Sequence, residues 1–216
     1  MNKRNLYLVR HGQSIYNLEN RFTGWKDVDL TELGKKQAKE AGQILSDVHF
    51  DYCYISNLKR AKDTLSLILN EMNQSPEIEN NIALNERDYG DLIGQNKAEA
   101  AIKFGKEQVQ IWRRSFDVPP PEGESLKMTA ERTLPYYKET VLPKVLNSSN
   151  VIISAHGNSI RAIVMEIFKL TPIQILKTEI GWCEPWKITY NEDGSLADYT
   201  IIERPSEPSN SHLFIE

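Results

Sequence analysis

The phrase Arg10-His11-Gly12-Gln13-Ser14 closes a short apolar run, Leu6-Tyr7-Leu8-Val9, and the chain repeats the arrangement far downstream. There Val151-Ile152-Ile153-Ser154-Ala155 runs into His156-Gly157-Asn158-Ser159. Short apolar runs with β-branched and aromatic members, bounded by polar sequence, predict buried strands. Ligands of open α/β sheets sit outside the carboxyl ends of their strands, which is where both histidines fall. A single His beside Gly reads as an ordinary turn residue. Two of only four histidines in one local context point instead to neighbouring parallel strands that bring them to one site.

Composition narrows the class. With 216 residues, 40% hydrophobic and 26% charged, the chain suits one sizeable α/β domain with a proper core. A net charge of −4 gives no electrostatic footprint for nucleic acid or a membrane surface, so any anionic ligand must be held by local cation clusters. The apolar run at the N-terminus is too short for a signal peptide, and no other segment is long enough to span a membrane. Cys53 and Cys183 lack a C-x-x-C spacing, as expected of reduced thiols in a cytoplasmic protein. Metal binding is not expected, since no His or Cys pair has ligand spacing. A nucleophile elbow and a P-loop are both missing.

Along the chain, residues 15–30 lack any period and predict an ordered loop over the site. Thr31 caps a helix running to about Leu45, with Ala38, Ala41 and Gly42 on a small apolar face. A strand over 52–56 leads to a helix capped by Ser56 or Asn57, with Arg60 in its first turn. A cation there opposes the helix dipole and asks for a nearby anion. Residues 74–81 form a polar connector. After the apolar Ile82-Ala83-Leu84 comes Asn85-Glu86-Arg87-Asp88-Tyr89-Gly90, where Glu86 is a candidate general acid or base. Helices over 96–104 and 107–114 follow, the second ending in Arg113 and Arg114. Adjacent arginines either complement the helix dipole or grip a planar phosphate or carboxylate. A proline-rich link over 117–123 precedes a long helix that Pro135 and Pro143 kink or interrupt. After the second histidine motif come a helix over 159–168, a helix opened by Thr171-Pro172, and a hairpin of 186–190 with 196–203. The expected fold is a three-layer α/β sandwich, a mainly parallel sheet with helices on both faces and an antiparallel edge. Residues 1–203 form its single domain and 204–216 a loosely held tail.

Arg10, His11, Arg60, Glu86, His156 and Asn158 thus gather as strand-end candidates, with Lys97, Arg113 and Arg114 further out. The set fits phosphate chemistry run by side chains. Arginines and one imidazole would neutralise phosphoryl oxygens while the other imidazole attacks phosphorus.

At this point the ordered phrases resemble a known family. Arg10-His11-Gly12-Gln13-Ser14, Asn17, Phe22-Thr23-Gly24-Trp25, Leu84-Asn85-Glu86-Arg87, Tyr89-Gly90, Asn96-Lys97, Trp112-Arg113-Arg114, Gly123-Glu124-Ser125-Leu126 and His156-Gly157-Asn158-Ser159 are similar to the histidine phosphatase superfamily. Within it they resemble the cofactor-dependent phosphoglycerate mutases. The resemblance implies that His11 carries the phosphoryl group as a phosphohistidine. It implies that Arg10, Arg60 and His156 stabilise the transferring group and that Glu86 shuttles the substrate proton. Ser14, Asn17, Thr23, Gly24, Gly157 and Asn158 would line the phosphate pocket. Arg87, Asp88, Tyr89, Lys97, Arg113 and Arg114 would hold the substrate's second anionic group. The implied reaction is the glycolytic interconversion of 2- and 3-phosphoglycerate, primed by 2,3-bisphosphoglycerate, without metal, in a possible homodimer.

The chain departs from that family's pattern at Asp88, where many mutases carry His, and in a trimmed 117–124 segment. Trp182-Cys183-Glu184-Pro185 replaces a Thr-Gly-Ile-Pro phrase, and 206–216 lacks the covering tail of larger members. An open site admits water, which turns transfer into hydrolysis. The alternative reading is therefore a phosphohistidine-type phosphatase acting on a small phosphorylated metabolite. A pure anion-binding module would have no use for His11, Glu86 and His156 together.

Overall fold

In the computed structural model, which describes residues 4–147 and 149–215, one six-stranded sheet organises the chain. The run 6–9 lies within β1 (Asn5–Arg10). It is followed by a one-turn helix, α1 (Ile15–Leu18), in the loop predicted to be non-periodic, and by α2 (Glu32–Ile44), capped by Thr31 as expected. Next come β2 (Tyr52–Ile55) and α3 (Lys59–Glu71). The polar stretch read as a connector contains β3 (Glu77–Asn80), an exposed edge strand. Its alternation lacks an apolar face because a sheet edge has little core to cover. A single 3-10 turn, Ile82–Leu84, carries the chain to Glu86, so this carboxylate follows a turn and not a strand of the sheet.

The excursion α4 (Lys97–Phe104) and α5 (Lys106–Arg114) matches the expected pair of helices. The long helix is α6 (Leu126–Tyr136), a π-turn over Tyr137–Val141, and α7 (Leu142–Leu146). Pro135 and Pro143 each lack a backbone donor, and the wider π-turn between them absorbs the mismatch without ending the helix. Then β4 (Asn150–Ala155), α8 (Gly157–Phe168), α9 (Pro172–Lys177), β5 (Trp186–Tyr190) and β6 (Leu196–Ile201) complete the fold. Helix α8 starts two residues earlier than expected, with His156 itself at the N-cap.

The strand order is β3-β2-β4-β1-β5-β6, parallel through β1 and antiparallel at β5 and β6. Successive residues of β1 point to opposite faces. Leu6 and Leu8 join Ile153, Ile160, Ile163 and Val141 on one side, while Tyr7 and Val9 join Ile152, Ala38, Leu65 and Ile68 on the other. Helices α6 and α8 therefore cover one face and α2 and α3 the other, giving three layers. The β1–β4 register pairs Arg10 with Ala155, so the residues that follow, His11 and His156, leave the sheet side by side.

Gly12 and Gly34 let α2 cross the loop after β1 closely. A Cβ on Gly12 would lie 2.3 Å from the Gly34 carbonyl oxygen, and one on Gly34 would lie 2.1 Å from that of Gln13. The tail is not loosely held. Arg204 is buried, donating to the Trp182 carbonyl (3.1 Å) and pairing with Glu207 (2.6 Å). Further on, Asn210 and Ser209 bind Glu184, and His212 pairs with Glu179 through two backbone hydrogen bonds of 3.0 Å. Its Pro, Ser and Asn content suits an irregular docked strap as well as a mobile end. Among the described residues, no helix is long and apolar enough to cross a membrane.

Candidate active site

A cleft of about 170 Å³ opens at the carboxyl ends of β1 and β4. His11 lies at its base. Its Nδ1 sits 2.7 Å from the Gly12 carbonyl oxygen; a carbonyl only accepts, so Nδ1 carries the proton. Nε2 then holds the lone pair and accepts from Nε of Arg60 at 3.2 Å. Burial, followed by the charges of Arg60 and Arg10, holds the His11 pKa well below the usual histidine value. The ring is thus a neutral imidazole with a defined tautomer, the form in which it is nucleophilic.

Arg60, fully buried in the first turn of α3, is fixed by the Gly24 and Lys26 carbonyls at 2.8 and 3.0 Å. Burial, partly offset by Glu86, pushes its pKa down to about 10, so it stays cationic at neutral pH. The expected Ser56 or Asn57 cap of α3 is replaced. The loop carboxylate of Asp27 accepts from the Lys59 N–H at 2.8 Å, and Ser56 Oγ accepts from that of Leu58. Arg10 donates to the Ile180 carbonyl at 2.8 Å and lies over the Trp182 ring, 5.3 Å from its centroid. Its Nε is buried without a hydrogen-bond partner among the described residues.

His156 stands behind His11, with ring centroids 5.1 Å apart, and does not itself line the cleft. Its Nε2 meets Ser56 Oγ at 2.7 Å while Nδ1 has no partner among the described residues. Burial, then the charges of Arg60 and His11, keeps its pKa well below the usual value. Glu86 holds one oxygen, Oε1, against the Arg87 and Asn158 N–H groups and the Asn158 amide at 2.8, 3.1 and 3.0 Å. Its backbone carbonyl is pinned by Trp25 and Arg132. The other oxygen accepts no hydrogen bond among the described residues.

Of the residues singled out from sequence, Arg10, His11, Asn17, Thr23, Gly24, Arg60, Glu86, Tyr89, Lys97, Arg113, Arg114, Gly157 and Asn158 all line this cleft. Besides His156, the residues Ser14, Arg87 and Asp88 do not, and each of these three has a structural reason. Ser14 is buried as the N-cap of α1, its hydroxyl donating to Asn17 Oδ1. That bond leaves the Asn17 amide donors free. Arg87 is buried, with its guanidinium 4.5 Å from the Tyr89 ring centroid and on the Tyr89 hydroxyl at 2.9 Å. Burial, the largest influence, raises the pKa of that hydroxyl, but the charge and hydrogen bond of Arg87 together with the charge of Lys97 outweigh it and leave it below the usual tyrosine value. Asp88 caps the turn at Gly90, accepting from its N–H at 2.9 Å.

Arg21, Arg161 and Glu179 line the cleft too and were not identified from sequence. Arg161 lies one helical turn beyond Gly157 and Asn158, so the α8 periodicity could have revealed it. Glu179 follows α9 in irregular chain and carries no local signal. Among the described residues, seven cationic side chains against two carboxylates surround the cleft, although the whole chain is acidic. Among the described residues, no group of His, Cys, Asp and Glu is arranged to hold a metal ion.

Comparison with known proteins places this geometry. Residues 6–200 match the family model described as histidine phosphatase superfamily (branch 1). A protein of Nitrobacter hamburgensis named 2,3-bisphosphoglycerate-dependent phosphoglycerate mutase is 54% identical, covering 91% of this chain and 97% of its own. One of the same name from Methylocella silvestris is 51% identical over 92% and 98%. Among solved structures, a mycobacterial glucosyl-3-phosphoglycerate phosphatase complexed with VO3 superposes with a TM-score of 0.79 at 26% identity, over 92% and 97%. The alpha-ribazole phosphatase of Shigella flexneri shares the fold, with a TM-score of 0.82 at 20% identity over 95% and 100%.

Proposed function

Because the chain belongs to the histidine phosphatase superfamily, we propose that this cleft interconverts 3-phosphoglycerate and 2-phosphoglycerate through a phosphohistidine on His11. The observation that carries the reading is a neutral imidazole at the base facing a second cation set, Lys97, Arg113 and Arg114, across one cleft. A simple phosphatase needs only the base. A substrate with a phosphate and a carboxylate, or a bisphosphate primer, needs both ends. The relatives at 51 to 56% identity named as such mutases support the same choice.

When bound, 2,3-bisphosphoglycerate would supply the phosphoryl group that primes His11. The buried, unpartnered Arg10 Nε and the excess of cations suit so anionic a ligand. In this reading His11 Nε2 donates its lone pair to phosphorus, and Nδ1–H stays on Gly12 to hold the ring in place. Arg10 and Arg60 neutralise the equatorial oxygens of a loose, in-line transition state. His156 backs His11 and presents a second uncharged imidazole. The free oxygen of Glu86 gives a proton to the leaving alkoxide in one half-reaction and removes it from the attacking hydroxyl in the other. Tyr89, Lys97, Arg113 and Arg114 hold the distal anionic group. Thr23, Gly24, Asn17, Gly157 and Asn158 shape the phosphoryl end. The reading treats 1–203 as one catalytic domain and includes the homodimer, which sedimentation at assay concentration tests.

One observation favours hydrolysis as a second reading. No described residue of the tail lines the cleft, so water has access to a phosphorylated His11. A coupled assay of 3-phosphoglycerate conversion, with and without catalytic 2,3-bisphosphoglycerate and with free phosphate followed in parallel, decides. Bisphosphate-stimulated 2-phosphoglycerate with little phosphate release is expected. Phosphate release with no 2-phosphoglycerate would overturn the mutase reading.

A further inference from the structure

Arg114 and Arg161, which converge at the cleft from α5 and α8, are already engaged by one protein carboxylate. Glu179 takes Arg114 on Oε1 at 3.0 Å and Arg161 on Oε2 at 2.6 Å. Each oxygen thus meets a guanidinium, much as one end of an anionic substrate would. The Arg161 side chain is further fixed by the Thr178 carbonyl at 3.0 Å and is mostly buried, whereas Arg114 and Glu179 are about two-fifths exposed. Glu179 is itself held in place. Its N–H and C=O both pair with His212 of the docked tail at 3.0 Å. Among the described residues, its side chain, unlike its backbone, has no other partner than these two arginines.

Two consequences follow from the chemistry. An incoming carboxylate or phosphate must compete with Glu179 for Arg114 and Arg161, and it meets a like charge on arrival. A ligand that stops at the base, near His11 and Arg60, meets less of either barrier, since the charge of Glu179 bears on Arg10 but is not among those that shift His11 or Arg60. Specificity is a difference of affinities, and a repulsive group set against one ligand class changes that difference directly.

We propose that Glu179 is a specificity-determining residue, an internal competitor that occupies Arg114 and Arg161 until the second anionic group of a substrate displaces it. The inference rests on the reading that this end of the cleft receives that second group. It assigns to the tail, through His212, the task of holding the competitor in register.

Calorimetric titration of the full-length protein tests it, with 2,3-bisphosphoglycerate and 3-phosphoglycerate as two-anion ligands and inorganic phosphate as the one-anion ligand. Glu179→Gln keeps the size of the side chain and removes its charge. The expected result is roughly fivefold or greater tightening of the two-anion ligands, with less than about twofold change for phosphate, as suits a charge a few ångströms from one subsite and farther from the other. Arg114→Ala in the Glu179→Gln background should erase most of the gain. Unchanged or weaker binding of the two-anion ligands would overturn the proposal, making Glu179 a scaffold for the arginines. Equal tightening of all three ligands would overturn it too, leaving only a general field. These equilibrium readouts do not depend on turnover. A gain in the titrations together with a failed isomerisation assay would sink the mutase reading and leave this inference standing.

Discussion

The imidazoles of His11 and His156 lie with centroids 5.1 Å apart and planes inclined by 57°, each one residue beyond the paired Arg10 and Ala155 of adjacent parallel strands. Burial and the neighbouring guanidinium groups of Arg60 and Arg10 lower both pKa values well below that of a free histidine. Protonating either ring would place a cation beside arginines that have no room to retreat.

That relationship sets a pH dependence. Since the folded pKa values lie below those of the unfolded chain, the unfolded state binds more protons across the interval between them. Stability linked to these rings is fully present above the unfolded histidine value, about 6.5, and is lost as pH falls from there toward the folded values. Thermal melts at stepped pH should show Tm falling below about pH 6.5. His156→Gln should flatten that acid limb. An acid limb equally steep in the variant would remove His156 as a contributor.

The duplicated phrase was enough to place both histidines, because strand-ending motifs carry their own address: apolar run, then Gly, then a helix start. Arg60 was legible for a related reason, since a cation in a helix's first turn is out of place electrostatically. Glu86 was legible as a residue of the cleft but misplaced in structure, following a turn where a strand end was expected. Ile82-Ala83-Leu84 is too short for periodicity to separate a strand from a 3-10 turn. The edge strand Glu77–Asn80 escaped notice because an exposed edge has no apolar alternation to detect. Ser14 and Arg87 stand inside family phrases, and Asp88 between two of them, yet they serve as cap, stacking partner and turn anchor. A motif reports residues that matter without saying whether they touch the ligand. Glu179 and the tail were invisible in sequence, since their role arises from pairing across irregular chain (Glu179 with His212) that no local pattern encodes.

Glu86→Gln separates the proton shuttle from the scaffold. The amide oxygen of Gln can still accept from Arg87 and Asn158, so the melting temperature should change little. The proton carrier is gone. The expected loss in kcat is about 10²- to 10⁴-fold, with KM for 3-phosphoglycerate little affected. A variant with near-normal kcat would remove Glu86 from the reaction, and a large drop in Tm would assign it to the fold.

Arg60→Lys tests the guanidinium geometry apart from its charge. Arg60 simultaneously serves His11 Nε2 and the Gly24 and Lys26 carbonyls, and a single ammonium cannot reproduce that fork. At least one buried carbonyl then loses its donor, for a cost of about 1–3 kcal/mol in chemical denaturation. Loss of a preorganised donor at the transferring group lowers kcat by about 10²- to 10³-fold. If Lys restored full activity, charge alone would account for the role of Arg60.

Deletion of residues 209–216 tests whether the tail supports the cleft from behind. Glu184 is fully buried and accepts from Ser209 Oγ and the Asn210 N–H, both at 3.0 Å. Gly181 provides the space, for a Cβ there would fall 2.2 Å from the Glu184 carboxylate. Gly181 also donates its N–H to Ser211 at 2.7 Å. Next to it, the Ile180 carbonyl anchors Arg10, and Trp182 stacks beneath the Arg10 guanidinium. Removing the tail strips a buried carboxylate of its donors, at a cost of about 2–4 kcal/mol, and frees the segment on which Arg10 rests. Assayed well below its melting transition, the truncated protein should lose roughly tenfold or more in kcat/KM, because a misplaced anion clamp weakens transition-state binding. A truncation that lowered Tm but left kcat/KM intact would confine the tail to stability and detach Glu184 from the positioning of Arg10.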